Sequence, residues 1–183
     1  MKRSFFMKLL AGSFLFTLKP YLVKGGDGLK KGTSFKEKLI DCLRKAFADE
    51  WLAYYQYYVE YSEVNGNLKD KAIVELKEHA EDELRHAGML RDRIHELGGH
   101  ILLSPEDWYK YTNCGYLKPR SFDVGHILED AIEGERCAIK VYTKIANMTK
   151  GKDEKTYKIV TQILKEEQEH EEDLLKVKAL LKK

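Results

Sequence analysis

The chain of 183 residues contains two copies of a short pattern, E-x-x-H, that can place metal ligands on a helix. The copies are Glu83 with His86 and Glu167 with His170. Residues three apart on an α-helix lie on the same face, so each copy directs a carboxylate and an imidazole to one site. A single copy arises readily by chance in a Glu-rich helical protein, whereas two copies indicate a shared site.

Two further glutamates, Glu50 and Glu135, each precede a tyrosine by seven residues. The tyrosines are Tyr57 and Tyr142. Seven residues make nearly two helical turns, so each tyrosine lies on the face of its glutamate. Its hydroxyl can hydrogen-bond a metal ligand and so orient that ligand toward the metal. In each half of the chain this glutamate precedes the E-x-x-H pattern by a nearly equal distance, 33 and 32 residues.

All four glutamates interrupt apolar stripes near the middle of predicted helices. Solvated helix faces would be the simpler explanation, but the register of the stripes places these acids inside. Burying several unpaired carboxylates is costly unless positive charge compensates them, and two divalent cations would do so. An oxygen-rich ligand set suits iron or manganese better than zinc or copper. The predicted ligands are Glu50, Glu83, His86, Glu135, Glu167 and His170.

Four long helices must position these residues. Apolar residues recurring every three to four positions predict them, and Ser34 with Glu37 forms a capping box at the first. Two pairs of helices with short loops, joined by one long connection, are typical of a bundle. The sequence thus predicts an all-α fold, an antiparallel four-helix bundle. The predicted helices span about 35–64, 68–97, from 122 onward, and 153–181.

Residues 99–121 lack this periodicity and contain two of the three prolines. They predict a long crossover between the second and third helices of the bundle. Within it, Ser104-Pro105-Glu106 can start one short helix of about two turns.

The charge is distributed unevenly along the chain. Residues 1–40 contain nine Lys/Arg and only two acidic residues, a balance of +7, while the rest carries a balance of −5. Such a basic segment can bind nucleic acid or a membrane surface, or it can be a solvated tail that binds nothing. Residues 20–33 contain three closely spaced glycines and predict a linker. We therefore divide the chain into a basic segment and linker, 1–33, and a bundle domain, 34–183.

The first residues resemble the basic and apolar regions of a signal peptide. No small-residue cleavage site follows, because Lys19, Pro20 and Tyr21 come next. We expect the segment to be retained and the protein to be cytoplasmic, with an exported form as the alternative. No stretch is long and apolar enough to predict a membrane span.

The doubled E-x6-Y and E-x-x-H patterns resemble the ferritin-like superfamily, most closely the bacterioferritin type of di-iron site. The resemblance covers residues 35–182. The run from Asn113 to Pro119, which contains Cys114, together with Cys137 on the third helix, resembles the Dps-like (thioferritin) branch. Members of that branch form hollow twelve-subunit cages and have two cysteines beside the metal site. The resemblance implies a homo-oligomeric cage and raises the expectation that Cys114 and Cys137 form a disulfide or redox pair.

The resemblance also assigns roles to the ligands. Two iron ions per subunit are implied, one held by Glu50 and His86 and the other by Glu135 and His170. Glu83 and Glu167 would bridge them, and manganese is the alternative metal. The implied reaction is oxidation of ferrous iron by hydrogen peroxide or dioxygen, followed by storage of a ferric mineral and protection from oxidative stress.

Other functions fit the same ligands. A rubrerythrin-like peroxidase would carry C-x-x-C pairs, which this chain lacks, whereas a manganese catalase takes similar ligands. A different class is a DNA-coating protein of the starvation-induced type, using the lysine-rich segment. Of the remaining candidates, we expect His79 to be a satisfied core histidine rather than an extra ligand, and Cys42 to be packing.

Overall fold

A computed structural model describes residues 34–181. Over these residues the fold is all-α, with four long helices and one short one, and the predicted bundle is confirmed. The predicted first residues of the four long helices, and the predicted last residues of the first, second and fourth, agree with the observed ones to within about two residues. The helices are α1 (Phe35–Glu63), α2 (Lys69–Glu96), α3 (Pro105–Tyr111), α4 (Val124–Thr149) and α5 (Glu154–Leu180).

Local sequence explains where the helices begin. The predicted capping box is present, since the Ser34 side chain accepts from the Glu37 amide and Glu37 accepts from the Ser34 amide. Asp123 caps α4 and Asp153 caps α5 through their side chains. In contrast, α2 has no side-chain cap and follows Leu68, which lies in the left-handed region at φ 66°.

The core consists of two apolar clusters separated along the bundle by the predicted ligands. One cluster is built around Leu39, Leu43, Leu90, Ile94 and Ile163. The other cluster contains, among others, Leu76, Ile127, Leu128, Leu174 and Val177. Each of the four glutamates lies in its helix between residues of one cluster and residues of the other. The apolar clusters therefore fix the helices on both sides of the polar layer.

The crossover between α2 and α4 contains α3, the predicted short helix. The crossover begins at Gly99, next to Ile40 of α1. A Cβ atom at Gly99 would lie only 2.8 Å from Ile40 Cγ2, so a larger residue would not fit there without a shift. Trp108 of α3 stacks on Trp51 of α1 with ring centroids 5.0 Å apart. The short helix therefore lies against α1 and brings the end of the crossover toward the middle of the bundle.

The predictions for the basic segment and linker, residues 1–33, lie outside the described residues. Among the helices that are described, none is long and apolar enough to cross a membrane.

Candidate metal centre

The four predicted carboxylate ligands are buried in the middle of the long helices. Their exposed fractions are 2% for Glu50, 2% for Glu83, 3% for Glu135 and 1% for Glu167. Each glutamate comes from a different helix, so the bundle itself brings four acidic side chains to one level. Such a cluster needs compensating positive charge.

The two histidines complete two overlapping groups of ligands. In each group, one potential ligand atom from every residue lies within 4.8 Å of the others. Glu83 and Glu167 belong to both groups, which is the arrangement expected of bridging carboxylates. The structure thus brings together all six predicted residues, while their role as metal ligands stays a prediction. The groups are Glu50, Glu83, His86 and Glu167, and Glu83, Glu135, Glu167 and His170.

Both imidazole rings direct Nδ1 toward the carboxylates. His86 Nδ1 lies 3.1 Å from Glu167 Oε1 and 3.4 Å from Glu50 Oε2. His170 Nδ1 lies 3.5 Å from Glu167 Oε2 and 3.7 Å from Glu83 Oε1. The Nδ1 atom of each histidine is therefore the one available to a metal ion in this cluster.

Sequence reasoning missed two carboxylates that hold the other ring nitrogens. His86 Nε2 is 2.8 Å from Glu166 Oε2, and His170 Nε2 is 3.2 Å from Asp82 Oδ2. A carboxylate on one nitrogen fixes the tautomer and leaves the other nitrogen free for a metal. Arg85 contacts both acids and links them across α2 and α5. The signal in the sequence was the acid that directly precedes each E-x-x-H pattern.

The two tyrosines contact the ligands reciprocally. Tyr57 of α1 donates a hydrogen bond to Glu135 of α4, and Tyr142 of α4 donates to Glu50 of α1. Burial foremost, and next the nearby carboxylates, raise the pKa of both tyrosines well above the ordinary value. Each hydroxyl therefore stays protonated and serves as a hydrogen-bond donor to a ligand.

The electrostatics of the cluster fit bound cations. Burial raises the pKa of Glu83 and Glu135 well above the usual range, and the Glu167 carboxylate raises it further. Burial alone would also raise the pKa of Glu167, but the neighbouring imidazoles of His170 and His86 lower it. Crowded carboxylates of this kind bind protons or metal ions to relieve their repulsion.

Buried polar atoms without hydrogen-bond partners also indicate a site for cations. Glu50 Oε2, both carboxylate oxygens of Glu167 and His170 Nδ1 are buried without a hydrogen bond of suitable geometry among the described residues. The short distance between His86 Nδ1 and Glu167 Oε1 is a contact between two potential metal ligands rather than a good hydrogen bond. Buried polar atoms are normally satisfied, and two divalent cations would satisfy these.

A disulfide lies beside the cluster. Cys114 of the crossover and Cys137 of α4 are joined, with Cα atoms 5.8 Å apart. Both line a cavity of about 170 Å³ that also reaches all four glutamate ligands. The resemblance anticipated this pairing, and a redox role for it stays a prediction. Cys42 is free and packs against the core, as expected.

A single carboxylate anchors the loop that carries the disulfide. Buried Asp49 accepts hydrogen bonds from Thr112 Oγ1, from the backbone and side-chain amides of Asn113 at 2.7 and 2.6 Å, and from the Cys114 amide at 3.0 Å. Burial raises the pKa of Asp49, although these hydrogen bonds oppose the rise. Nothing in the periodicity of α1 predicted this role for Asp49.

His79 differs from the expectation of a satisfied core histidine. It is buried at 2% exposure, but its Nδ1 has no hydrogen-bond partner within residues 34–181. Its ring stacks on His170 with centroids 4.0 Å apart and meets Tyr57 edge-on. Burial foremost, then His170, lowers the pKa of His79 to about 3, so its imidazole is neutral.

Comparison with known proteins agrees with this geometry. The model of the ferritin-like domain family matches residues 40–183. The chain belongs to the ferritin-like family. It is 41% identical over 138 residues to the DNA protection during starvation protein of Pyrococcus furiosus, a match that covers 74% of each protein.

Solved structures of the family include close matches to the bundle. A dodecameric thioferritin, the bacterioferritin-related protein of Bacteroides fragilis, superposes with a TM-score of 0.79 at 43% identity. That match covers 80% of this chain and 87% of the thioferritin. Dps of Thermosynechococcus elongatus has a TM-score of 0.73 at 20% identity, covering 78% and 90% of the two chains, and shares the fold. The predicted Dps-like branch of the family is thereby confirmed.

Proposed function

We propose that this protein is a ferroxidase mini-ferritin, which oxidises ferrous iron and stores the ferric product. The observation that carries the proposal is the pair of overlapping ligand groups sharing Glu83 and Glu167. Two metal ions that share two carboxylates are close enough to react with one oxidant molecule. Two ferrous ions supply the two electrons that reduce one hydrogen peroxide molecule to two hydroxide ions. Dioxygen is the alternative oxidant.

The residues of the chain contribute position and charge to this reaction. Glu50 and His86 would hold one iron, Glu135 and His170 the other. Glu166 and Asp82 fix the two imidazole rings from outside, and the two tyrosines fix Glu135 and Glu50. A preorganised ligand set of this kind binds the metal without reorganisation during the reaction.

Storage requires an assembly, and we propose a cage of twelve subunits. The Bacteroides fragilis relative is a dodecamer. Large aromatic side chains on the surface of this chain would suit contacts between subunits. They include Tyr55, Tyr58 and Tyr109, which are 50%, 46% and 56% exposed.

The test is ferrous oxidation by variants that lack a bridging ligand. Glu83→Ala or Glu167→Ala should lower the rate to that of buffer, because each substitution removes one carboxylate from both ligand groups. Glu81→Ala and Glu169→Ala are matched controls, since both are exposed glutamates two residues away on the same helices. Normal oxidation by the Glu83 and Glu167 variants, in correctly folded protein, would refute the assignment.

A count of retained iron distinguishes storage from a small di-metal enzyme. Protein supplied with excess ferrous iron and peroxide is gel-filtered, and ferric ions per chain are measured. Tens of ions per chain, eluting with a large assembly, would support the storage cage. About two per chain, the capacity of the ligand set alone, would favour a non-storing peroxidase or a manganese catalase. Catalase activity of manganese-loaded protein would then decide between those two.

A second candidate function is DNA coating. Two observations favour it: the +7 charge balance of residues 1–40 and the relative described as a DNA protection during starvation protein. Lysines and arginines bind phosphates regardless of sequence, and such binding is compatible with iron oxidation.

We also propose the cytoplasm as the compartment, because the apolar start of the chain is not followed by a small-residue cleavage site.

A further inference from the structure

Three residues outside the six predicted ligands form another group with metal-ligand chemistry. They are Glu75 and His79 of α2 and Asp173 of α5. One ligand atom from each lies within 4.8 Å of the other two. The spacing of four residues from Glu75 to His79 places both on one face of α2, and Asp173 faces them from the neighbouring helix.

His79 provides the evidence that this group is more than a patch of surface acids. Only 2% of its surface is exposed, and its Nδ1 lacks a hydrogen-bond partner in the described bundle. An imidazole in such a position normally has a partner. His79 also belongs to a second group, with Glu135 and His170, within the same distance. Its ring therefore lies between the predicted di-metal ligands and the two acids.

The two carboxylates are available to a cation. Glu75 is half-buried and forms no hydrogen bond or close ion pair within the described residues, although the Lys176 charge is near enough to lower its pKa. Burial raises the pKa of Glu75, and the neighbouring Asp173 and Glu78 raise it further. Asp173 pairs with Lys176 at 2.8 Å, but that lysine side chain is 63% exposed. A surface pair of this type is weak and can exchange for a metal ion.

We infer that Glu75, His79 and Asp173 form a third metal site, which binds a divalent cation of the ferrous or manganous type. Two carboxylates and one imidazole suit such ions. Three protein ligands leave coordination positions for water, and the half-exposed carboxylates allow exchange with solvent. This site goes beyond the proposed function, which requires only the six ligands of the di-metal cluster.

The position of the third site indicates its role. The cavity beside the disulfide reaches the di-metal cluster from α1, α4 and the crossover, whereas the third site is built only from α2 and α5. His79 belongs to the group with Glu75 and Asp173 and also to the group with Glu135 and His170. An ion at the third site would therefore be separated from the di-metal cluster by this one side chain. The site thus offers iron a second route to or from that cluster.

Cobalt(II) is a suitable probe because it takes ligands similar to those of ferrous iron and is not deposited as a mineral during the experiment. Bound Co²⁺ per chain is measured on the assembled protein by equilibrium dialysis and elemental analysis, and located by anomalous diffraction. Wild-type protein should bind three ions per chain, with one between Glu75 and Asp173. The double variant Glu75→Gln/Asp173→Asn should bind two. The control Glu78→Gln/Glu172→Gln removes the same charge from exposed positions on the same helices and should bind three.

The outcomes separate this inference from the proposed function. Two ions per chain in wild-type protein and in the E75Q/D173N variant would overturn the third site and leave the di-metal cluster intact. Three ions in both would also overturn it, because the third ion would then lie elsewhere. One ion in wild-type protein that is lost in E75Q/D173N would support the third site and refute the di-metal cluster.

Discussion

Four of the six predicted ligands are each held by a residue from the other half of the chain. Tyr57 in the first half orients Glu135 in the second, and Tyr142 in the second orients Glu50 in the first. The acids beside the histidines follow the same rule. Neither helix pair alone contains a complete site, so the ligand geometry depends on how the two pairs pack.

Replacing Tyr142 by Phe should slow iron oxidation while leaving the protein folded. The substitution removes the hydrogen bond to Glu50 but keeps the ring that packs in the core. Loss of a residue that orients a metal ligand typically costs roughly 10- to 100-fold in metal affinity or activity. The initial rate of ferrous oxidation measures the effect. Tyr55→Phe, at an exposed position on α1, is the control; equal rates for both variants would show that Tyr142 only fills space.

Glu60 makes the stability of the protein depend on pH. It is fully buried, Gln56 donates a hydrogen bond of 2.9 Å to its Oε1, and its Oε2 has no partner in the described structure. Burial foremost, with Asp130 contributing, raises its pKa from 4.5 to about 8. As the pH rises from 4.5 to 8, the unfolded chain loses the Glu60 proton while the folded chain keeps it, so folding becomes less favourable.

Glu60→Gln should therefore stabilise the protein, and more so at high pH. The gain should be small near pH 5, reach on the order of 4 kcal/mol near pH 8, and change little above that pH. Urea unfolding at the two pH values measures it. Glu63→Gln is a control, because Glu63 is an exposed glutamate on the same helix. A gain that does not change between pH 5 and pH 8 would mean that Glu60 is not buried as a neutral acid.

At the scale of helices, most of the fold could be predicted from the sequence. Apolar periodicity, the Ser34 capping box and the glycine stops gave helix limits close to the observed ones, because these are local signals. The four glutamates of the predicted ligand set were recognised because they interrupt apolar stripes at matching heights, and the two histidines because each follows one of these acids in an E-x-x-H pattern.

Contacts between elements could not be predicted in this way. The pairing of His86 with Glu166, or of Asp49 with the Cys114 loop, depends on how two segments distant in sequence pack. Nothing in the periodicity of one helix contains that information. The link between Cys114 and Cys137 was anticipated only through a resemblance, because the crossover has no regular pattern from which to place Cys114.

Asp49 is the residue of α1 that binds the loop around Cys114, and its removal should expose the disulfide. Asp49→Ala deletes all the hydrogen bonds that the carboxylate accepts from Thr112, Asn113 and Cys114. Hydrogen bonds to a charged group contribute about 1.5 to 3 kcal/mol each, and losing several should let the loop open locally. We expect a dithiol to reduce the disulfide roughly 10- to 100-fold faster, while the four long helices stay folded.

Mass spectrometry of alkylated protein measures that rate and separates Cys114 and Cys137 from Cys42. Asp41→Ala is the matched control, because Asp41 lies on the same helix and, among residues 34–181, its one ion pair is with Lys45 at 3.0 Å. If the Asp49 variant were reduced at the wild-type rate, the loop would be held by other contacts, and the disulfide itself would be the first candidate.

At the scale of the whole molecule, the chain combines an acidic bundle with a basic start. The bundle carries the predicted metal chemistry, and the excess of positive charge precedes it. In a cage of twelve chains, twelve such basic segments would act together, and their combined affinity for DNA would greatly exceed that of one. The proposed DNA-coating activity therefore belongs to the assembly rather than to the single chain.

Removal of residues 1–33 tests this division of roles. The segment contains seven Lys/Arg and one acidic residue, so the full-length assembly should bind duplex DNA with an affinity that falls steeply with salt. The truncated protein should lose that binding and keep its rate of ferrous oxidation, because all six predicted ligands lie in the bundle. Fluorescence anisotropy with labelled DNA between 50 and 200 mM salt, roughly the range over which such binding weakens most, measures the first effect.

A full-length variant with the seven basic residues changed to Gln separates the effect of charge from the effect of chain length. If that variant binds DNA as tightly as wild-type protein, the phosphates are held by the bundle, and the basic segment must serve another purpose.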